Sequence, residues 1–170
     1  MASSPRSTSS ALSGSAASAA PVLAIDYGRK RWGLALSDAM GMIARPLATW
    51  NRTNRRRDLA RLRELVRLHS VRRIVVGLPL HMDGTPSEMS EEASRFALRL
   101  RKELGLPVEL LDERLTSWEA GRETRRLPAG RHGAGRSPAI DALAAAVILR
   151  EYLARQSGQA TEVPSPGTGS

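Results

Sequence analysis

The chain has 170 residues, with 26 Lys and Arg against 17 Asp and Glu, and so carries a formal net charge of +9. It has no cysteine, which excludes disulfides and thiolate metal sites and fits a reducing cytoplasm. The longest mostly apolar run, 139–149, is too short to span a bilayer and is interrupted by Asp141, so a soluble protein with no membrane partner is expected.

Residues 1–20 hold fourteen Ser or Ala and a single charge, with no apolar stretch long enough for a signal peptide. They read as a disordered tail. Residues 156–170, rich in Gly, Pro, Ser and Thr, read the same way, which leaves one domain at 21–155, long enough for one good core. The positive balance favours a polyanionic partner. Of the cations only Lys30 and Lys102 are lysines, and guanidinium suits bidentate phosphate contacts. A GC-rich genome also enriches arginine, so charge alone does not assign nucleic acid.

The first element is the apolar run Val22-Leu23-Ala24-Ile25, which ends in Asp26 and leads through Tyr27-Gly28 to Arg29-Lys30-Arg31. Trp32, Leu34 and Leu36 then keep a two-residue period, so strand, basic turn and strand form a hairpin. A third short strand from Met42 to Ala48 is confined to an edge by Pro46. A helix is expected from Arg56 to His69, apolar at Leu59, Leu62, Leu65 and Val66. Its other face belongs to an arginine-rich run that begins at Arg52, and it reads either as a solvated face or as a phosphate track.

Ile74-Val75-Val76 is a buried strand ending at Gly77-Leu78-Pro79-Leu80. Thr85-Pro86-Ser87-Glu88 reads as a capping box for a helix with an apolar stripe from Met89 to Leu104. Val108–Leu111 is the next strand, and it ends in Asp112-Glu113-Arg114. A short helix from Thr116 to about Arg126 and the basic, glycine-rich loop 129–136 precede a last helix, 138–154. Three adjacent strands followed by helix–strand crossovers predict an α/β fold with a mixed five-stranded sheet and helices on both faces.

Three carboxylates stand in apolar contexts: Asp26 after the first strand, Glu113 after the strand at 108–111, and Asp141 in the first turn of a helix apolar nearly all round. Burying an ionised carboxylate is costly unless a cation, a metal or hydrogen bonds compensate it. Hard cations such as Mg²⁺ or Mn²⁺ take oxygen ligands, and a pair of them can clamp a phosphodiester. The alternatives are structural: Asp26 bridged to an arginine, Glu113 paired with Arg114 or Arg122, and Asp141 as a helix-dipole acid. Asp112 is a second candidate in place of Glu113, Asp38 a strand-ending residue, and His81 a loop residue.

The segments AIDYGRKRWGLALSD (24–38), IVVGLPLHMDGTPSEMS (74–90), LLDERLTSWEA (110–120) and IDALAAAVILREYL (140–153) resemble the four motif blocks of the YqgF/RuvX family, in the same order. That family resembles RNase H and RuvC in fold. Its members are described as Holliday-junction resolvases or as nucleases maturing the 5′ end of pre-16S rRNA. The resemblance implies Asp26, Glu113 and Asp141 as metal-binding catalytic acids, Lys30 and Arg31 as substrate contacts, and Gly77 and Pro79 as residues shaping the adjoining loop. It implies Mg²⁺ or Mn²⁺ as cofactor, and precursor rRNA or branched DNA as the nucleic-acid partner of a monomer or homodimer.

Arg131, His132 and Arg136 in the loop 129–136 form either a clamp on the substrate or a plain connector. A non-catalytic binding module of the same fold is the competing function. An actin-like phosphotransferase, which shares Asp-x-Gly, needs two such domains, and this chain has residues for one.

Overall fold

The computed structural model describes residues 20–116 and 138–159. The strands are β1 (Val22–Tyr27), β2 (Arg31–Ser37), β3 (Ala44–Asn51), β4 (Arg73–Leu78) and β5 (Val108–Asp112), and the helices are α1 (Arg55–Leu68), α2 (Glu88–Leu104) and α3 (Pro138–Gln159). A short 3₁₀ turn, Glu113–Thr116, follows β5 directly. The sheet order is β3-β2-β1-β4-β5. β1–β2 and β2–β3 are antiparallel, whereas β1–β4 and β4–β5 are parallel.

Alternation along the strands sorts the core into two layers. Leu23, Ile25 and Tyr27 of β1, with Trp32, Leu34, Ile74 and Val76, pack under α1 (Leu59, Leu62, Leu65) and α2 (Phe96, Leu100). Val22, Ala24, Ala35, Val75 and Leu111 meet α3 through Ala145, Ala146, Ile148, Leu149, Tyr152 and Leu153. A buried Leu or Ile contributes about 1.5–3 kcal/mol. The large side chains of α3 together therefore offset the several kcal/mol that bringing the carboxylate of its first turn toward the sheet costs.

Local chemistry explains where the elements begin and end. β3 is the edge strand expected for a chain with Pro46, and a bulge at Leu34/Ala35 carries the pairing from Ala48 to Pro46, past Leu47. Asp38 closes the β2–β3 connection by accepting the backbone N–H groups of Met42 and Ile43 at 2.7 and 2.8 Å. Asn54 caps α1 by accepting from Arg57 N at 3.0 Å. Buried Asp58 ties the approach to α1 by accepting from the Thr53 hydroxyl at 3.0 Å.

The cap of α2 corrects the reading of the sequence. Ser87, not Thr85, is the N-cap, and its box partner is Ser90: Ser90 N donates to Ser87 Oγ at 3.0 Å and Ser87 N donates to Ser90 Oγ at 2.8 Å. Thr85 is engaged by Asp83, whose Oδ1 accepts both its backbone N–H and its hydroxyl, at 2.9 and 2.7 Å. That turn takes Thr85 and Pro86 out of the helix. Among the described residues, no helix is long and apolar enough to cross a membrane.

Candidate active site

The carboxyl ends of the parallel strands β1, β4 and β5 lie at one end of the sheet, the usual place for a ligand in an open α/β sheet. Asp26 sits there, on the α3 side of β1, and is only 7% exposed. A glycine flanks it on each side. Gly33 of β2 is its cross-strand partner, and one residue beyond the Ile25–Val76 pair of the parallel ladder Gly77 of β4 lies beside it.

Both glycines make room for another acid. A Cβ on Gly33 would overlap the backbone carbonyl of Asp141 and meet Ala142 N. A Cβ on Gly77 would overlap the Glu113 carboxylate and approach Ile148 Cδ1. The first turn of α3 therefore rests directly on β2 beside Asp26, and the Glu113 side chain lies over β4 on the other side. The three acids named from the sequence come from three separate elements and gather at one end of the sheet.

Gly77 belongs to strand β4, paired with Leu111, rather than to the loop after it. Pro79 lies in that loop, where its carbonyl accepts from the Ser87 hydroxyl at 2.5 Å and joins the loop to the cap of α2. Arg131 and Arg136 lie outside the described residues, as do the remainder of the helix expected at 116–126 and the expected tails at 1–19 and beyond 159; residues 156–159, expected to begin the C-terminal tail, instead continue α3, whose unbroken helix runs on to Gln159.

Arg31 reaches Asp141, with Nε 2.8 Å from Oδ2, in a pair whose side chains are only 26% and 12% exposed. The same Oδ2 has no geometrically good hydrogen bond, so the contact is ionic rather than directional. Asp26 and Glu113 each have a partner of their own. Among the described residues, no group of three His, Asp or Glu side chains is close enough as it stands to hold a metal ion.

Asp112, the alternative to Glu113, is itself paired with an arginine. Arg114 holds it from Nε and Nη2, the latter at 2.7 Å, and the guanidinium keeps its carboxyl below the usual carboxylate range. Arg114 also donates to Met82 O at 3.4 Å, tying the end of β5 to the loop after β4.

The three cations of the hairpin tip have different surroundings. Arg29 is balanced by Glu88 and Glu92 of α2, at 2.8 and 2.7 Å. Arg31 is balanced by Asp141, while Lys30 is exposed at the tip and forms no ion pair among the described residues. The arginines of α1 lie in the layer opposite the acids, where Arg55 and Arg63 approach Glu103 and Arg61 covers the Trp50 ring at 4.2 Å. The hairpin tip thus brings a cation, Arg31, directly to one of the acids.

A family model for RuvX, described as Holliday junction resolvase, matches residues 20–155. The chain belongs to the RuvX family. Among its RuvX relatives, a protein of Koribacter versatilis (strain Ellin345) named "Putative pre-16S rRNA nuclease" is 44% identical over 135 residues, which cover 79% of this chain and 87% of that protein. A protein of the same name from Azotobacter vinelandii is 45% identical over 135 residues, covering 79% and 94%. RuvC of T. thermophilus in complex with a Holliday junction substrate superimposes with a TM-score of 0.54 at 18% identity, over 82% of this chain and 96% of that one. That likeness is one of fold, and it agrees with the RNase H-like mixed sheet expected from the motif blocks.

Two residues that matter here are not evident from the sequence pattern. Gly33 is a glycine inside a strand, a sign of close backbone approach. Arg52 is built into the hairpin, yet nothing distinguishes it from the arginines that follow it.

Proposed function

We propose that this RuvX protein is a divalent-metal-dependent endonuclease that processes the 5′ end of pre-16S rRNA, with Asp26, Glu113 and Asp141 as its metal-binding catalytic acids. The observation that carries the reading is the pair of glycines beside Asp26, which admit the other two acids and no side chain of their own. The names of relatives at 44% and 45% identity favour the RNA substrate. The family description and the RuvC-like fold favour a second reading, cleavage of branched DNA.

The donor set fits a hard divalent ion such as Mg²⁺ or Mn²⁺: carboxylate oxygens only, one from each of three elements, with a cation already attracted to Asp141. When bound, the metal supplies Lewis-acid activation of the attacking water and stabilisation of the leaving oxygen. The chain's own residues supply position. β1 and the 3₁₀ turn hold Asp26 and Glu113 on the sheet, α3 brings Asp141 over β2, and Lys30 and Arg31 meet phosphates on the same edge. Phosphate contacts position rather than specify. Arg131 and Arg136, which lie outside the described residues, are proposed as further phosphate contacts. A cytoplasmic location follows from the substrate, and the domain at 21–155 is proposed as the nuclease unit.

The test is cleavage of a precursor-rRNA fragment and a synthetic four-way DNA junction side by side, with and without Mn²⁺ or Mg²⁺. Metal-dependent cleavage of the RNA by a monomer supports the first reading. Preference for the junction by a dimer supports the second, because junction resolution needs two sites related by a two-fold axis. No cleavage of either would leave a binding module.

Binding should weaken steeply with salt: if about five phosphates are neutralised, the log–log slope is about −3.5 to −4.5. Neutral replacement of Lys30 and Arg31 together should flatten it by roughly one to two units. A slope near zero would end the polyanion reading.

Arg31 and the metal compete for Asp141. Removing the guanidinium should tighten Mn²⁺ binding about tenfold in Arg31→Met without nucleic acid, the equivalent of one partly screened charge contact. Isothermal titration reads this independently of turnover. Unchanged affinity would mean that Asp141 is not a ligand.

A further inference from the structure

We infer that Arg52 is the positioning residue of the basic β1–β2 turn, and that it sets the direction in which Lys30 meets a phosphate rather than contacting the substrate itself. The inference rests on the nuclease reading for its substrate, but not for its geometry. Arg52 directly follows Asn51, which pairs with Arg31 at the end of the β2–β3 ladder. Its backbone N–H donates to Lys30 O at 2.9 Å. Its Nη1 donates to Gly28 O at 3.3 Å, Arg29 O at 3.0 Å and the Tyr27 hydroxyl at 3.2 Å. One residue thus donates to the carbonyls of three consecutive turn residues, which would otherwise be left to water.

The guanidinium is fixed from the other side by aromatic rings. Its Cζ lies 5.3 Å from the Tyr27 ring centroid and 5.5 Å from that of Trp32. Both rings lie under Phe96 of α2, with centroids 4.8 and 4.7 Å from it, so the support is part of the core. The Arg52 Nε is buried without a hydrogen-bond partner, a desolvation cost that the ring contacts and the carbonyl hydrogen bonds of the same guanidinium offset.

Charge balance argues the same way. A fourth cation beside Arg29, Lys30 and Arg31 is repelled by each of them, and Glu92, whose charge it feels, is already engaged by Arg29. The compensation is geometric: a planar fork of donors on carbonyls, which lysine cannot reproduce. With Arg29 tied to α2 and Arg31 to Asp141, fixing the turn backbone leaves Lys30 as the side chain presented outward.

The test combines Arg52→Met and Arg52→Lys with Lys30→Ala. Hydrogen–deuterium exchange across residues 27–32 should rise in both Arg52 variants, while the β4 and β5 amides keep their protection. Unchanged exchange in the turn overturns the inference whether or not the protein proves to be a nuclease. In a nucleic-acid binding cycle, Arg52→Met should weaken affinity about tenfold, the scale of one charge-assisted hydrogen bond, and Lys30→Ala should add little to it. Additive losses, or full rescue by Arg52→Lys, would make Arg52 an ordinary phosphate contact and overturn the inference. If Arg52→Met does not fold, Arg52→Lys carries the same cycle. Failure of the wild type to bind any nucleic acid defeats the functional reading alone, since the exchange result stands apart from it.

Discussion

Asp26→Asn is expected to remove divalent-dependent cleavage, by roughly 10³-fold or more, because the several kcal/mol of charge stabilisation that a metal supplies go with its ligand. The substitution is isosteric and exchanges a buried carboxylate for a buried amide, so the fold should persist. Glu113→Gln should lose turnover on the same scale, its side chain lying in the space that Gly77 leaves open. Asp141→Asn should differ from both in stability. It leaves Arg31 without its counter-ion, and breaking one side of a largely buried pair costs a few kcal/mol at most, less here because Arg31 is 26% exposed. A modest fall in melting temperature is therefore expected for Asp141→Asn. The assay pairs cleavage in Mn²⁺ with thermal unfolding in metal-free buffer. Near-wild-type turnover in any of the three would remove that residue from the site.

Much of this arrangement was legible in the sequence, for definable reasons. Two-residue periodicity around Leu34 and the apolar run before Asp26 mark β2 and β1, and nearly continuous apolar residues mark α3. Acids at the ends of the β1 and β5 runs point to one end of a parallel sheet, because both strands run parallel to β4 and finish there. The motif blocks carried the family and imply the roles proposed for the acids.

What was not legible depends on contacts between distant residues. That Gly33 stands opposite Asp26 follows from hairpin register, and that Asp141 rests on Gly33 follows from how α3 crosses the sheet; neither is written in local spacing. The misplaced cap at Thr85 has a local cause, since a side chain two residues earlier captures the hydroxyl that would have capped the helix. Arg52 was hidden by its neighbours. One arginine in a run is singled out only by what it touches.

Gly33→Ala is expected to damage stability and activity together, whereas Gly77→Ala should damage activity more than stability. At Gly33 the new methyl would overlap backbone atoms of Asp141 and Ala142, which cannot rotate aside. Either the first turn of α3 lifts or β2 bulges, at about 1–3 kcal/mol or more. A cost of that size lowers the melting temperature of a domain this large by several degrees. The lift also carries Asp141 away from Asp26, and about 1 Å of misplacement can cost roughly 10²-fold in rate. At Gly77 the methyl meets the ends of two side chains, the Glu113 carboxylate and Ile148 Cδ1, which can swing. The fold then tolerates the change, but the acid is pushed out of place. Gly105→Ala is the control: Gly105 is the left-handed C-cap of α2 at φ 65°, with nothing within 4 Å of a built Cβ. It should lose about 1 kcal/mol of stability from backbone strain alone and keep full turnover. If Gly77→Ala cleaves as fast as Gly105→Ala, the placement of Glu113 beside Asp26 does not govern the reaction. If Gly33→Ala is as stable as wild type, α3 does not rest on β2 through that glycine, and the route by which Asp141 enters the site is wrong.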